Sequence, residues 1–297
     1  MRLIKKQDII SFLKKKGYNF TVVGDIQGSV QGFSSASNYI EGTITWVKTL
    51  KDKEDILEKI SVCVVEEGVE ISAETVIITR DSKTIFFEIL NRFFFKERSP
   101  QISKDSIVKT DKIGKNCFIG HFCFIGEEVV IGENVTIKNN VIIESPAIIG
   151  DNCCISSGVV IGGEGFGYFM DNKGRYQHVP HFGGVQIGKN VEIGSNTCID
   201  RGTIDNTVIG DNVKIDNLCH IAHNVNIGEN SLVIALSMLG GSSRVGQNVY
   251  IAPGGFIKNK VILGDHSLVG MGAVVIDNVE KNKVVVGVPA RILRENM

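Results

Sequence analysis

Aliphatic residues recur at every sixth position along most of this chain. Every sixth residue from Ile113 to Ile161 is isoleucine, and the same spacing returns from Ile187 to Ile199. It resumes at Ile209 and continues to Val275, with valine and leucine at some positions. Neither an α-helix nor an ordinary sheet has a period of six. Hexapeptide β-helix repeats do, because each repeat supplies one short strand of a coiling solenoid.

The residues between the aliphatic ones fit the same repeat. A small residue usually lies two positions earlier, as Val129 does before Ile131, and alternation along a strand points both side chains inward. Glycine often follows the aliphatic residue, as Gly132 does, and we expect it to let the backbone bend at a corner. Three such strands close a triangular coil of about 18 residues.

The six-residue period is absent before Pro100, which predicts a change of fold at that point. We therefore expect a small α/β domain over residues 1–100, a β-helix domain over residues 101–280 and a C-terminal tail over residues 281–297. The predicted fold class is mainly β, a parallel β-helix of hexapeptide repeats preceded by the small α/β domain.

Two helices are predicted in the first domain. The segment from Lys5 to Lys16 has an amphipathic pattern and ends at a glycine. A second helix is expected from about Thr84 to Phe95, with Ser82 as its N-cap.

Composition and charge narrow the class of function. The chain has 297 residues, 43% of them hydrophobic, and a formal net charge of −1. This balance predicts neither a nucleic-acid-binding nor a membrane-binding patch. The first 20 residues mix lysine and aspartate with apolar residues, which is unlike a secretory signal, and no apolar run is long enough to span a bilayer. We therefore expect a cytoplasmic protein.

One segment interrupts the repeat between Ile161 and Ile187. It contains glycines, aromatic residues that include Phe166 and Tyr168, and two histidines, the first of which is His178. A loop that projects from a rigid scaffold is a common place for function, so we expect these side chains to bind substrate.

Two polar residues depart from the repeat further along the chain. His223 follows an inward isoleucine and Ala222, which places it near a corner where it reaches solvent. A neutral histidine there can accept a proton near pH 7. Asp216 lies about one face earlier, and a carboxylate can fix the imidazole tautomer and stabilise its cation.

The motifs around these residues resemble the UDP-3-O-acylglucosamine N-acyltransferase (LpxD) family of lipid A synthesis. The similar stretches are the motifs at 197–202, 205–207, 215–217 and 221–225, together with the glycine-rich loop at 163–168. The resemblance implies a left-handed parallel β-helix and a homotrimer with active sites between subunits. It also implies acyl transfer from a thioester to a sugar amine, with His223 as general base and Asp216 as its partner. Asp200 and Asn224, within the motifs, are expected to bind substrate.

The family resemblance covers roughly residues 1–235, and the end of the chain resembles a different group. Trp46 occupies the position of an aromatic residue that stacks on uracil in the family, although a core aromatic of the small domain is the alternative. The final coils resemble hexapeptide acyltransferases that use acyl-coenzyme A on bacterial sugars. In those enzymes the last coils line the donor channel, so Lys258, Lys260 and Arg291 are expected to bind donor phosphates.

The favoured function is therefore N-acylation of a nucleotide-linked amino sugar by an acyl-CoA thioester, with no permanently bound cofactor. One alternative is the lipid A enzyme itself, using an acyl carrier protein. A second is a non-catalytic trimeric β-helix scaffold, because fold does not determine activity. A third is a hexapeptide carbonic anhydrase, which needs three converging histidines. His220 and His223 can approach each other, but no third histidine is evident. Four of the seven cysteines occupy inward repeat positions (Cys117, Cys123, Cys153 and Cys219), so no metal ion is predicted.

Overall fold

A computed structural model describes residues 3–49, 60–95, 98–144 and 146–296. The chain forms two compact units, Met1–Glu97 and Arg98–Met297.

The first unit is a mixed sheet with two helices. Its strands are β1 (Ile4–Lys5), β2 (Thr21–Gly24), β3 (Ser29–Val30), β4 (Gly32–Phe33), β5 (Thr43–Val47), β6 (Ile60–Glu66) and β7 (Ala73–Thr79). The main sheet has the order β2-β7-β6-β5-β4, in which only the β2–β7 pair is antiparallel. Helix α1 (Lys6–Lys15) and helix α2 (Ser82–Phe93) bury Leu13 and Ile89 in the same apolar core as Ile44 and Val64.

The predicted N-cap of the second helix is wrong. Helix α2 begins at Ser82, and the residue in the capping position is Asp81, whose side chain makes no cap hydrogen bond. The hydroxyl of Ser82 instead donates to Glu66 and accepts the indole N–H of Trp46. Tertiary hydrogen bonds therefore replace the local capping bond that the sequence predicts.

The second unit is a three-faced β-solenoid, which confirms the fold that the six-residue period predicts. The first face has β8 (Gln101–Ile102), β10 (Phe118–Ile119), β13 (Thr136–Ile137), β16 (Cys154–Ile155), β21 (Glu192–Ile193), β24 (Lys214–Ile215), β27 (Leu232–Val233), β30 (Tyr250–Ile251), β33 (Leu268–Val269), β35 (Lys283–Val286) and β36 (Arg291–Glu295). The second face has β9 (Ile107–Val108), β11 (Phe124–Ile125), β14 (Ile142–Ile143), β17 (Val160–Gly163), β22 (Cys198–Asp200), β25 (His220–Ile221), β28 (Met238–Leu239), β31 (Phe256–Ile257) and β34 (Val274–Val275).

The third face is shorter. It has β12 (Val129–Ile131), β15 (Ala147–Ile149), β20 (Val185–Ile187), β23 (Thr207–Ile209), β26 (Asn226–Ile227), β29 (Arg244–Val245) and β32 (Ile262–Leu263). All neighbouring strands on the three faces are parallel except β35 and β36, which pair antiparallel. The inward positions form one continuous apolar core, in which Val129 and Ile131 are both buried as predicted.

The glycine that follows the aliphatic residue has a different role from the one expected. Gly132 and Gly228 are not among the residues with positive φ. A Cβ added to Gly228 would lie 2.6 Å from backbone atoms of Gly246 in the next coil, so glycine permits close stacking of coils. The left-handed corner residue comes two positions later and is usually asparagine, as Asn134 (φ 57°) and Asn230 (φ 59°) show.

The interruption in the repeat leaves the solenoid between β17 and β20. It forms a small antiparallel hairpin of β18 (Tyr168–Met170) and β19 (Tyr176–His178). Across the part of the chain that the structure describes, no helix has the length and apolarity needed to cross a membrane.

Candidate active site

The loop between β17 and β20 is attached to the coil that follows it. Phe182 donates its N–H to the carbonyl of Thr203 at 2.8 Å, and Arg201 donates through Nε to the carbonyl of Gly183 at 2.8 Å. The N–H of Gly184 donates to Oδ1 of Asn206 at 2.8 Å. These bonds fix the end of the loop against residues 201–206, which belong to the predicted signature motif.

His223 stands beside this loop, at the corner that follows β25. Its side chain is half-buried, and its ring lies edge-on to the ring of His181 with centroids 5.2 Å apart. Nδ1 of His223 lies 3.1 Å from Oδ1 of Asn224 and 3.4 Å from Oγ1 of Thr203. The structure thus brings the predicted base together with the end of the projecting loop.

Asn224 determines which nitrogen of His223 carries the hydrogen. Oδ1 of Asn224 also accepts from the backbone N–H and the hydroxyl of Thr203, and Nδ2 donates to the carbonyl of Asp205. Because this oxygen is an acceptor, Nδ1 of His223 is its donor, and the lone pair is left on Nε2. The side chain of Asn224 therefore orients His223, and its contact with substrate stays a prediction.

Two glycines make room for the rings. A Cβ added to Gly241, one coil beyond His223, would lie 2.7 Å from Nε2 of His223. A Cβ added to Gly165 would lie 2.6 Å from Nε2 of His181 and 2.9 Å from Cβ of His223. Any larger residue at either position would displace an imidazole.

Asp200 is a buried carboxylate close to these histidines. Its Oδ2 lies 3.6 Å from Nε2 of His220. Burial raises the pKa of Asp200, and the charges of His220, His223 and His181 oppose that rise. The carboxylate is thus held in the electrostatic field of three imidazoles.

The aromatic residues of the loop form a cluster with its histidines. The rings of Phe166 and Tyr168 have centroids 4.9 Å apart, and Tyr168 lies edge-on to His178 at 5.4 Å. Phe166 is 87% exposed, so this cluster presents an apolar surface to solvent. His178 and His181 both lie close to the carboxylate of Glu164.

Asp216 lies on a different edge of the solenoid from His223. It follows β24 on the first face, and its carboxylate accepts from the backbone N–H groups of Asn217 (2.7 Å) and Ala235 (3.3 Å). Together with Lys138, Lys214 and Glu192 it lines a surface cavity of about 340 Å³. Within a single chain the predicted pairing of Asp216 with His223 is therefore replaced by the contact between His223 and Asn224.

Trp46 lies in the first unit, on β5. Its indole N–H donates to Oγ of Ser82 at 2.9 Å, and its ring stacks on Phe86 with centroids 6.2 Å apart. The same ring lines an open cavity of about 750 Å³ with Phe33, Phe87 and Lys48. The position is compatible both with a packing role and with a planar ligand.

The three predicted donor-binding residues lie on two different elements. Lys258 and Lys260 follow β31, at the corner between the second and third faces, and Lys260 has a positive φ of 64°. Arg291 begins β36 on the first face and donates through its guanidinium to the carbonyl of Ala290 at 2.8 Å.

Sequence reasoning missed several residues of the site. Thr203 and Gly241 contact His223 from neighbouring coils, and Glu164 and His181 meet within the loop. The His178-x-x-His181 spacing was visible as a signal, whereas the position of Glu164 depends on how the loop folds back.

The fold and the site together define a hexapeptide-repeat β-solenoid protein with a histidine-rich corner covered by a loop. Residues 112–144, 128–163 and 206–241 match the family model described as bacterial transferase hexapeptide (six repeats). Residues 184–217 match the hexapeptide repeat of succinyl-transferase.

Curated relatives confirm the predicted resemblance to UDP-3-O-acylglucosamine N-acyltransferases. A protein named UDP-3-O-acylglucosamine N-acyltransferase 2 from Legionella pneumophila subsp. pneumophila (strain Philadelphia 1) is 54% identical over 97 residues, 33% of this chain and 28% of its own length. The Rickettsia akari UDP-3-O-acylglucosamine N-acyltransferase is 42% identical over 144 residues, 48% of this chain and 41% of its own length. The similar segment thus spans well under half of these relatives.

Solved structures agree on the solenoid. A UDP-N-acetylglucosamine acyltransferase structure has a TM-score of 0.59 and 25% identity, covering 65% of this chain and 73% of its own. The Arabidopsis UDP-N-acetylglucosamine acyltransferase has a TM-score of 0.55 and 26% identity, covering 66% and 74%.

Proposed function

We propose that this chain is a UDP-3-O-acylglucosamine N-acyltransferase, which transfers an acyl group from a thioester to the amine of the sugar. The observation that supports it most is the corner at His223, where a motif resembling that family meets a preorganised imidazole. The relatives are named for this sugar nucleotide, so the lipid A reaction is better supported than the more general reaction with an acyl-CoA donor.

The proposed reaction begins with removal of a proton from the sugar ammonium. Nε2 of His223 accepts that proton, since Nδ1 is held by Asn224. The free amine attacks the thioester carbonyl carbon, forming the C–N bond and a tetrahedral oxyanion. Collapse of this intermediate breaks the C–S bond, and the thiolate leaves and takes up the proton that His223 holds. The nitrogen of the intermediate releases its second proton to solvent, which leaves a neutral amide. Backbone N–H groups at a coil corner are suited to bind the oxyanion.

Recognition of the substrates is assigned to the remaining predicted residues. Trp46 has an exposed ring edge in an apolar cavity, which suits stacking on the base of the nucleotide. The aromatic cluster of Phe166 and Tyr168 is suited to an acyl chain or the sugar face. Lys258, Lys260 and Arg291 supply positive charge for a phosphopantetheine-bearing donor, which is common to acyl carrier protein and coenzyme A.

A homotrimer is part of the proposal, because the second face has an outward stripe suited to burial against another copy. In register along this face the outward residues are apolar except for one histidine; they are Ile107, Phe124, Ile142, Val160, Cys198, His220, Met238, Phe256 and Val274. An apolar outward stripe of this kind, with its members exposed or half-buried in the single chain, is typical of an interface. His220 within it is adjacent to the candidate site, which agrees with sites between subunits.

The test is an assay of free thiol release with UDP-3-O-acylglucosamine and matched acyl-carrier-protein and acyl-CoA donors. We expect His223→Ala to lower kcat by about 10²–10⁴-fold, the usual contribution of a general base. His266→Asn is the control, because it removes an exposed histidine elsewhere and asparagine suits its positive φ of 57°. Near-normal turnover by His223→Ala would refute the role of His223. Absence of turnover with either donor in the unsubstituted protein would refute the function.

A further inference from the structure

Three metal-ligating side chains converge within the projecting loop. Oε2 of Glu164 lies 3.4 Å from Nδ1 of His181 and 3.6 Å from Nε2 of His178. One ligand atom from each of the three residues lies within 4.8 Å of the other two. Glu164 stands at the start of the loop, and both histidines stand near its end.

His181 is buried without satisfying its polar atoms. Its side chain is 0% exposed, and within the described part of the chain neither ring nitrogen has a hydrogen-bond partner. The carboxylate of Glu164 is at ion-pair distance from Nδ1 but out of hydrogen-bond alignment. Buried imidazole nitrogens are nearly always bonded to protein, water or an ion, so the buried Nδ1 of His181 is open to a ligand from outside the chain.

Nε2 of His178 lies 3.3 Å from the carbonyl oxygen of Gly165, and metal binding through this nitrogen replaces that contact. The separations from Oε2 of Glu164 match a metal site. Two ligands of a tetrahedral zinc ion, at bond lengths of about 2.0–2.2 Å, are separated by roughly 3.3–3.6 Å. The measured separations of 3.4 and 3.6 Å fall in that range. Two imidazoles and one carboxylate also form a donor set that zinc sites use when a fourth position is left to water or substrate.

We propose that Glu164, His178 and His181 bind a divalent transition-metal cation such as Zn²⁺, through Oε2, Nε2 and Nδ1 respectively. The cation joins the start of the loop to its end and so holds the loop closed beside His223. It also supplies the missing partner for the buried Nδ1 of His181. His223 is not a ligand, because its Nδ1 contacts Asn224 and its Nε2 faces Gly241.

The cation takes no part in the acyl-transfer steps, although its site adjoins His223, and the proposal does not depend on the proposed function. The proposed ligands also differ from His220 and His223, the pair of histidines that the sequence brings together. His220 contacts Asp200 and is not one of the ligands. The sequence predicts no metal ion, because only the fold of the loop brings Glu164 to the two histidines.

The test is Co²⁺ and Zn²⁺ binding to the full-length protein after removal of bound metal by chelator. We expect one Co²⁺ per chain with the visible d–d absorption of a tetrahedral N/O site, displaced by Zn²⁺, and a rise in Tm on metal addition. Glu164→Gln and His178→Gln change exposed side chains, with side-chain exposures of 53% and 38%, so both variants are expected to fold. Each should weaken Co²⁺ binding at least about tenfold, as loss of one of three protein ligands implies.

The matched control is His121→Gln. His121 forms a histidine–carboxylate pair with Asp105, with Nδ1 and Oδ2 2.8 Å apart, and it lies outside the three-residue cluster. It should leave Co²⁺ binding unchanged. Absence of Co²⁺ binding to the unsubstituted protein, or equal binding by Glu164→Gln and His178→Gln, would overturn the site. Acyl-transfer activity is not the readout, so the outcome is independent of the proposed reaction.

Discussion

The imidazole of His223 is held by neutral partners rather than by a carboxylate of its own chain. Asn224 accepts from Nδ1, and its own oxygen is fixed by Thr203, whose backbone N–H and hydroxyl both donate to it. A neutral acceptor sets the tautomer without strongly stabilising the imidazolium, in contrast to a carboxylate. The arrangement leaves Nε2 oriented to accept the proton of the sugar ammonium.

Gly241→Ala tests whether the position of His223 matters for catalysis. The backbone there is not left-handed, so alanine is tolerated, but its Cβ would lie 2.7 Å from Nε2 and 2.8 Å from Cε1 of His223. The ring must move away from Asn224. We expect kcat for acyl transfer to fall by about 10²-fold, as a displacement of roughly 1 Å produces, with the solenoid still folded by circular dichroism.

The control for that variant is Gly163→Ala. An added Cβ at Gly163 has its nearest contact at 3.9 Å, an ordinary van der Waals distance, so nothing is displaced. Equal kcat values for the two alanine variants would show that the space above Gly241 has no part in catalysis.

At the scale of elements, the period of six predicts the strands but not the corners. After Ile113, each inward isoleucine of the repeat is the buried residue of a short strand, because burial in a stacked coil depends only on position in the repeat. The corner between the third and first faces depends on a second signal. Asparagine recurs there, at 116, 134, 152, 190, 212, 230 and 248, each with positive φ. This spacing is present in the sequence, but it becomes meaningful only once the corner conformation is known.

Asn134 shows the two roles of these corner asparagines, which are a left-handed backbone conformation and side-chain hydrogen bonds between neighbouring coils. Its Nδ2 donates to Asn152 and its Oδ1 accepts from Asn116, both at 3.2 Å. We expect Asn134→Ala to lower the free energy of unfolding by about 1–2 kcal/mol more than Asn134→Gly, because both lose the side-chain bonds but only alanine is strained at positive φ. Urea denaturation of each variant, followed by the circular dichroism of the β-solenoid, measures the difference. Equal stability of the two variants would mean that the amide bonds, rather than backbone conformation, select asparagine.

The side-chain contacts within the projecting loop could not be predicted from the sequence. Outside the repeat, no periodic rule determines which side chains meet, so the contact between Glu164 and His181 follows from the fold of the loop alone. Contacts between coils are more regular. Gly241 lies one coil beyond His223, and that relation is implied by the repeat once the corner is identified.

At the scale of the whole molecule, the outward stripe of the second face connects assembly with the candidate site. Cys198 and His220 are paired in register within it, and Ile142 and Phe256 on the same stripe are 38% and 43% exposed in the single chain. Burial of such side chains between copies would remove a large apolar area from water. The second face is therefore the surface on which we expect the proposed trimer to form.

Phe256→Asp tests this assembly, with Cys198 as a built-in probe. The substitution places a charge in the stripe, so we expect sedimentation to show a shift from trimer to monomer.

Burial, followed by the charge of Asp200, raises the pKa of the Cys198 thiol, which slows its reaction in every state. The labelling rate of Cys198 is therefore compared between the unsubstituted protein and Phe256→Asp. We expect maleimide to label Cys198 at least about tenfold faster in the variant. Cys154 on the first face is the internal control, and Cys63, whose pKa burial raises to about 12, should stay unlabelled in both. Equal labelling of Cys198 in the two proteins, with unchanged sedimentation, would place the subunit interface on another face.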